Sequence, residues 1–232
     1  MFFEQYAENI TTVILDGSTI FLLAGVYMQT GIMRKRGRDD DKLFFLMIVI
    51  DIAVALADMI TYLADGKSFP AARYYNMAGV SVFYIGLVAL CMIWLMYCMV
   101  RFKHKVDPRK GIARLIFMPG LIMEILLLIN IFAGFVFSVD KDNVYRYGVL
   151  FRPMMVVMAA YVFAGFVLIL LYRTEVEKKR LIPVWIYFVP LAAGIVVPFV
   201  LGGISLTSIG CAMSITFTHL GSASEMVNAG EV

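Results

Sequence analysis

Residues 43–63, LFFLMIVIDIAVALADMITYL, can cross a bilayer as one helix, yet they carry two carboxylates, Asp51 and Asp58. The two are seven residues apart, so they share one helix face about 10 Å apart along the axis. An ionisable group at that depth costs about 3 kcal/mol on insertion scales. Such groups turn toward a bundle interior, water or a partner. The other apolar stretches must therefore supply company for Asp51 and Asp58.

At a rise of about 1.5 Å per residue, Asp16 lies about 9 Å inside one edge of its span and Asp58 about 8 Å inside the same edge. Tyr62 is one turn above Asp58 on the same face. Asn130, Arg152, Ser205, Thr207 and Ser208 fall in the same zone, while Asp51 and Glu124 lie nearer the middle of the membrane. These residues predict a ligand-binding pocket open to the outside, with an acidic floor and an arginine rim. The competing reading is a structural network in which Arg152 neutralises one carboxylate and the others hold a proton or meet Ser, Thr or Asn.

The chain that must position them has 232 residues, is 62% hydrophobic and 16% charged, and has a mean hydropathy of +0.86. A soluble domain carries more charge. The expected class is all-α, a polytopic membrane protein built as a seven-helix bundle. Its apolar runs are residues 10–33, 43–63, 79–100, 115–138, 149–172, 183–201 and 204–220. Gly202-Gly203 breaks the last two apart. Residues 1–220 form the expected transmembrane domain, and residues 221–232 a short cytoplasmic tail.

Loop charge orients this bundle. Three alternate loops hold fifteen Lys or Arg, and the opposite side holds five, namely Lys67, Arg73, Lys141, Arg146 and Arg152. Such a bias places the N-terminus outside and the C-terminus in the cytoplasm. The start, MFFEQYAEN, has no basic n-region, so the first run reads as an uncleaved anchor.

Short loops leave no room for a folded water-phase domain, and their scattered basic residues do not suit nucleic acid. Cys91, Cys98 and Cys211 all sit in apolar runs and read as packing residues. His104 and His219 lack metal-site spacing, so no metal is expected. No Walker, HExxH, CxxC, GxGD or GxSG motif occurs, and the seventh run has no lysine for a retinal Schiff base. The chain is therefore read as a non-enzyme with no catalytic residue and no cofactor. Pro183, Pro190 and Pro198 fall near one face of the sixth run, and Pro190 and Pro198 mark it as a hinge candidate.

Several stretches together resemble a known family. They are Asp41-Lys42-Leu43-Phe44, then Asp51 and Asp58, then Gly79-Val80-Ser81-Val82-Phe83-Tyr84 with Trp94 and Tyr97, and last Gly202-Gly203-Ile204-Ser205-Leu206. The pattern is similar to the N-terminal seven-helix membrane module of bacterial signalling proteins. There the module precedes a GGDEF diguanylate cyclase, a histidine kinase or another output domain. After Leu220 this chain has GSASEMVNAGEV and none of those output sequences. The resemblance implies a sensory module of the bacterial inner membrane that binds a small ligand and relays to a cytoplasmic kinase or cyclase partner. A small secondary transporter using Asp51, Asp58 and Glu124 for ion or proton coupling is the alternative. Neither reading fixes the ligand, the partner or the oligomeric state.

Overall fold

The computed structural model describes residues 2–33, 39–101, 111–172, 189–190 and 206–228. The chain is mostly helical. Its elements are α1 (Phe2–Met33), α2 (Asp39–Ala64), α3 (Ala72–Arg101), α4 (Gly111–Ala133), β1 (Phe137–Val139), β2 (Tyr145–Tyr147), α5 (Phe151–Tyr172) and α6 (Thr207–Asn228). Among the described residues, five helices are long and apolar enough to cross a membrane: Asn9–Gln29, Asp41–Ala64, Ala72–Val100, Leu115–Ala133 and Phe151–Leu168. These make the chain a multi-pass membrane protein. The sixth apolar run, residues 183–201, lies outside the described residues except for Val189 and Pro190.

α3 is the centre of the bundle. It packs on α2, α4 and α5, while α1, α2 and α6 pack on one another. Small residues set the closest approach. A Cβ at Gly79 of α3 would stand 2.6 Å from Thr61 Oγ1 and 2.9 Å from the Ala57 carbonyl of α2. One heptad on, a Cβ at Gly86 would collide with Val54. The two helices thus meet backbone to backbone along a seam of small residues. Trp94 is fully buried further along α3, over the flat spot that Gly165 leaves on α5.

The fourth run was expected to stay helical through residue 138, but α4 stops at Ala133. Gly134 takes a left-handed turn (φ 67°) and its N–H returns to the Asn130 carbonyl. The chain then forms an antiparallel hairpin, with Phe137 opposite Tyr147 and Val139 opposite Tyr145. α6 differs at its other end. It stays helical through Asn228, so residues 221–228 continue the last helix rather than forming a separate tail.

Side chains fasten the hairpin onto the helices. Asn130 is fully buried; its Nδ2 donates to the Phe137 carbonyl at 2.9 Å and its Oδ1 accepts from Val136 N–H at 2.6 Å. Asn143 also sits in the left-handed region (φ 61°) and donates to the carbonyls of Ala64 at 2.6 Å and Lys67 at 3.0 Å. Asp65 accepts from Asn76 Nδ2 at 2.8 Å and Tyr145 N–H at 2.9 Å, joining the end of α2 to α3 and β2. Within the hairpin loop, Asp140 is held below the usual carboxylate range, first by the Val144 N–H and then by the Arg146 side chain 2.8 Å away. Burial, and then the neighbouring Tyr84 hydroxyl, push the Tyr145 phenol above its ordinary range, and the two hydroxyls share a 2.7 Å hydrogen bond.

Asn143 carries both a side-chain anchor and an unusual backbone angle. Asn143→Ala is expected to cost about 2–4 kcal/mol, since it loses two buried hydrogen bonds and meets left-handed strain. Asn143→Gly keeps the angle and is expected to cost less. Thermal unfolding of both variants in detergent micelles checks the order.

Candidate functional site

Three helix faces converge on one buried polar strip. Thr12, Asp16 and Thr19 follow the i, i+4, i+7 spacing of one face of α1, and all are at most 1% exposed. On α2 the same geometry puts Asp51, Asp58 and Tyr62 in line, with Asp51 fully buried and Asp58 5% exposed. α6 contributes Ser208, which is 1% exposed, and Cys211.

Neighbour relations order these groups along the bundle. At the hairpin end, the Tyr62 hydroxyl approaches Thr12. Below it, Asp16 lies within electrostatic reach of Asp58 and has Ser208 beside it. Deeper still, Asp51 lies within reach of Asp16 and of Cys211. Tyr84 of α3 faces Asp58 and Tyr62 from the other side, and its hydroxyl bond to Tyr145 connects the strip to the hairpin. Tyr62 to Asp51 spans about 16 Å of helix.

The strip ends on apolar packing. Leu23 and Val26 of α1, Met47 and Ile48 of α2 and Ile215 of α6 are all 5% exposed or less. Beyond them, His219 Nε2 meets Gln29 Oε1 at 3.1 Å and the ring stacks on Phe44. Ser208 beside Asp16 and His219 beside Gln29 show that α6 runs parallel to α1.

The hydroxyls divide into two kinds. Ser18, Thr61, Ser81, Ser214, Thr216 and Thr218 each donate to the carbonyl four residues back in their own helix. That is the usual resting bond of a hydroxyl in a helix among apolar neighbours. Thr12, Thr19 and Ser208 do not rest that way: among the described residues their buried oxygens have no hydrogen-bond partner. Thr12 and Ser208 have the Tyr62 hydroxyl and the Asp16 carboxyl as their polar neighbours. Asp16 Oδ2 and both oxygens of Asp51 are likewise unpartnered among the described residues. A buried carboxylate is stable in that state only if it holds a proton or meets a cation.

Other sequence-predicted residues lie elsewhere. Asn130 is committed to the hairpin through backbone bonds and is part of the scaffold. Glu124 is half-buried on α4, which packs on α3 and α5, so it does not join the three aspartates. Arg152 is exposed in the first turn of α5, and no cationic side chain reaches Asp16 or Asp51 among the described residues. The expected arginine rim is therefore absent from the acidic strip as described. Thr207 opens α6 and is half-buried. Of the expected hinge, Pro190 is half-buried and Pro198 lies outside the described residues. A groove of about 750 Å³ runs between α1 and α6 past Ile14, Gly17, Thr19, Phe21, Ile209 and Met213; its lining is mostly apolar and none of the three carboxylates lines it, but Thr19 of the strip does.

A proline inside α4 opens its hydrogen-bond ladder while the helix runs on. Pro119 lies inside α4, and the Tyr161 hydroxyl of α5 fills the break: it accepts from Gly120 N–H at 2.7 Å and donates to the Ile116 carbonyl at 3.0 Å. Neither Pro119 nor the paired role of Thr12 and Thr19 was singled out from sequence. The heptad-like spacing of Thr12, Asp16 and Thr19 was the available signal.

No family model matches the chain, and no curated protein matches it.

Two variants probe this geometry. Tyr161→Phe strands Gly120 N–H and the Ile116 carbonyl and is expected to cost about 1–3 kcal/mol in detergent unfolding. Asp51→Asn is expected to leave stability equal or higher at neutral pH, because it removes a buried charge site that has no cationic partner. Loss of about 3–5 kcal/mol in that variant would mean instead that a structural ion pair had been broken.

Proposed function

We propose that this protein is a sensory module of the bacterial inner membrane, which takes a small positively charged ligand at the acidic strip and relays its binding through α6. The observation that carries the reading is Asp51: it is fully buried, has Asp16 and Cys211 for neighbours, and has no partner on either carboxylate oxygen among the described residues. Buried carboxylates of this kind are costly, and in membrane helices they are functional by default.

The orientation follows the loop charges, with the hairpin end outside and the basic loops inside. The parallel run of α1 and α6 supports an odd number of spans, as does a seven-helix bundle with its N-terminus outside. α6 touches the strip at Ser208 and Cys211 and continues to Asn228, where a cytoplasmic kinase or cyclase partner would read it. The resemblance to membrane modules of bacterial signalling proteins points to the same relay. A ligand shifts such a helix only through unequal affinity for its two positions.

The buried apolar residues Leu23, Met47, Ile48 and Ile215, which follow the strip on the basic-loop side among the described residues, weigh against the transporter reading. A carrier must open that side in turn.

Spin labels at the exposed positions Met28 and Leu220, with the full chain in nanodiscs, test the relay. Asp16→Asn is expected to shift the distance between them, and Asp142→Asn in the exposed hairpin loop is expected not to. An unchanged distance in Asp16→Asn overturns the sensor reading. Labelling of a cysteine placed near Asp51 that alternates between the two faces would favour a carrier.

A further inference from the structure

We infer that the ligand of the acidic strip is the proton, taken up from the hairpin side through a ladder of hydroxyls and carboxyls that ends blind at Asp51. This rests on the reading of the strip as a site and names what occupies it.

Size comes first. Asp16, Asp51 and Asp58 are 1%, 0% and 5% exposed, and the apolar groove on α1 does not reach them. Of the strip residues, Thr19 alone lines that groove. Among the described residues no trio of acidic, thiol or imidazole groups is placed to hold a metal ion. The carboxylates are close enough to feel one another but are spread along two helices, as a relay requires.

The hydroxyls supply the second, independent observation. A side-chain hydroxyl that donates to its own helix has its proton tied up. Among the described residues Thr12, Thr19 and Ser208 make no such bond to their own helix, each is at most 1% exposed, and they stand at successive levels of the strip. A hydroxyl can accept one proton and release another, so it passes charge without moving. Thr12 stands with Tyr62, Ser208 with Asp16, and Thr19 lies one turn below Asp16 on the way toward Asp51.

Among the described residues the groups facing Asp51 and its relay can be named from each element. α1 presents Asp16, α2 itself presents Asp58 and Tyr62, α3 presents Tyr84, and α6 presents Cys211, with Cys91 of α3 behind it. None of these is basic. In the uptake step, a hydronium at the hairpin end gives one proton to the ladder and leaves as water. Each relay group gains one O–H bond and loses another, and a new O–H bond forms on the Asp51 carboxylate. The strip loses one negative charge, and nothing is oxidised or reduced. Among the described residues Leu23, Met47, Ile48 and Ile215 lie between the strip and the basic-loop side, so the ladder is read as open to the hairpin side alone.

Infrared difference spectroscopy of the full chain in liposomes tests this, with the pH stepped on one side while the other is buffered. The expected result is a carboxylic C=O band, present at neutral pH as a buried, unpartnered carboxyl requires, that fades only as the hairpin-side pH is raised and returns as it falls. It should shift in D₂O, ignore added sodium or methylammonium, and disappear in Asp51→Asn. Thr19→Val, which keeps every carboxyl, should slow its appearance several-fold without changing its final size. If Asp51→Asn does not insert, Asp16→Asn with Thr19→Val gives the same comparison through altered rate and band size.

A band absent at every pH overturns the inference. A band removed by sodium or methylammonium at constant pH overturns the proton as ligand while leaving the acidic site standing. Equal response to pH on both sides overturns the blind ladder. A normal proton band together with an unmoved α6 would instead sink the sensor reading and leave this one intact.

Discussion

A carboxyl group in an apolar helical bundle must be answered by something, and that requirement organises one half of this molecule. Asp16, Asp51 and Asp58 come from two antiparallel helices whose remaining side chains at that depth are mostly apolar. Turning them toward lipid would cost several kcal/mol each. Turning them inward places like charges beside one another, which also disfavours full ionisation. The structure adopts the second course and, among the described residues, places hydroxyls and a thiol beside the carboxyls. The result is a polar strip with spare hydrogen-bonding capacity, in a protein whose other buried hydroxyls are mostly satisfied within their own helices.

The remainder of the bundle answers to a different demand, which is close packing without polar risk. Gly79 and Gly86 let α3 lie against α2, and Gly165 makes room for Trp94. The hairpin over this half is fixed by Asn130, Asn143 and Asp65, each bonded to backbone or amide groups from two elements. Polar residues near the membrane edge thus do two kinds of work here. Some fasten the hairpin to the helices, and others, Thr12, Thr19, Ser208 and the aspartates, form the strip.

Much of this was readable in the chain, and the exceptions have physical causes. Asp51 and Asp58 declare themselves because charge inside a long apolar run has few explanations. Asp16 and Ser208 were placed near them by depth alone, and depth is a simple count along a helix. Depth misled for Asn130 and Arg152, because it says nothing about which helix stands beside which. Asn130 belongs to a chain reversal whose signal, Gly134 followed by alternating Val136, Phe137 and Val139, sits inside an apolar stretch that passes for more helix. Thr12 and Thr19 escaped because a threonine in a membrane helix normally bonds to its own backbone. Only their geometry shows that they do not. Pro119 was overshadowed by three prolines clustered in the sixth run.

Pro119 also divides the labour within the bundle. A helix broken by proline would ordinarily flex there, but the Tyr161 hydroxyl is wedged into the gap and bonded to both of its lips. To straighten or bend further, α4 must expel a group belonging to its neighbour, so the two rods are yoked. α3 packs on both of them, and on the opposite side α1, α2 and α6 meet around oxygens that have no hydrogen-bond partner among the described residues. A perturbation entering among the aspartates then has one soft direction in which to spread, along the first and last helices of the chain.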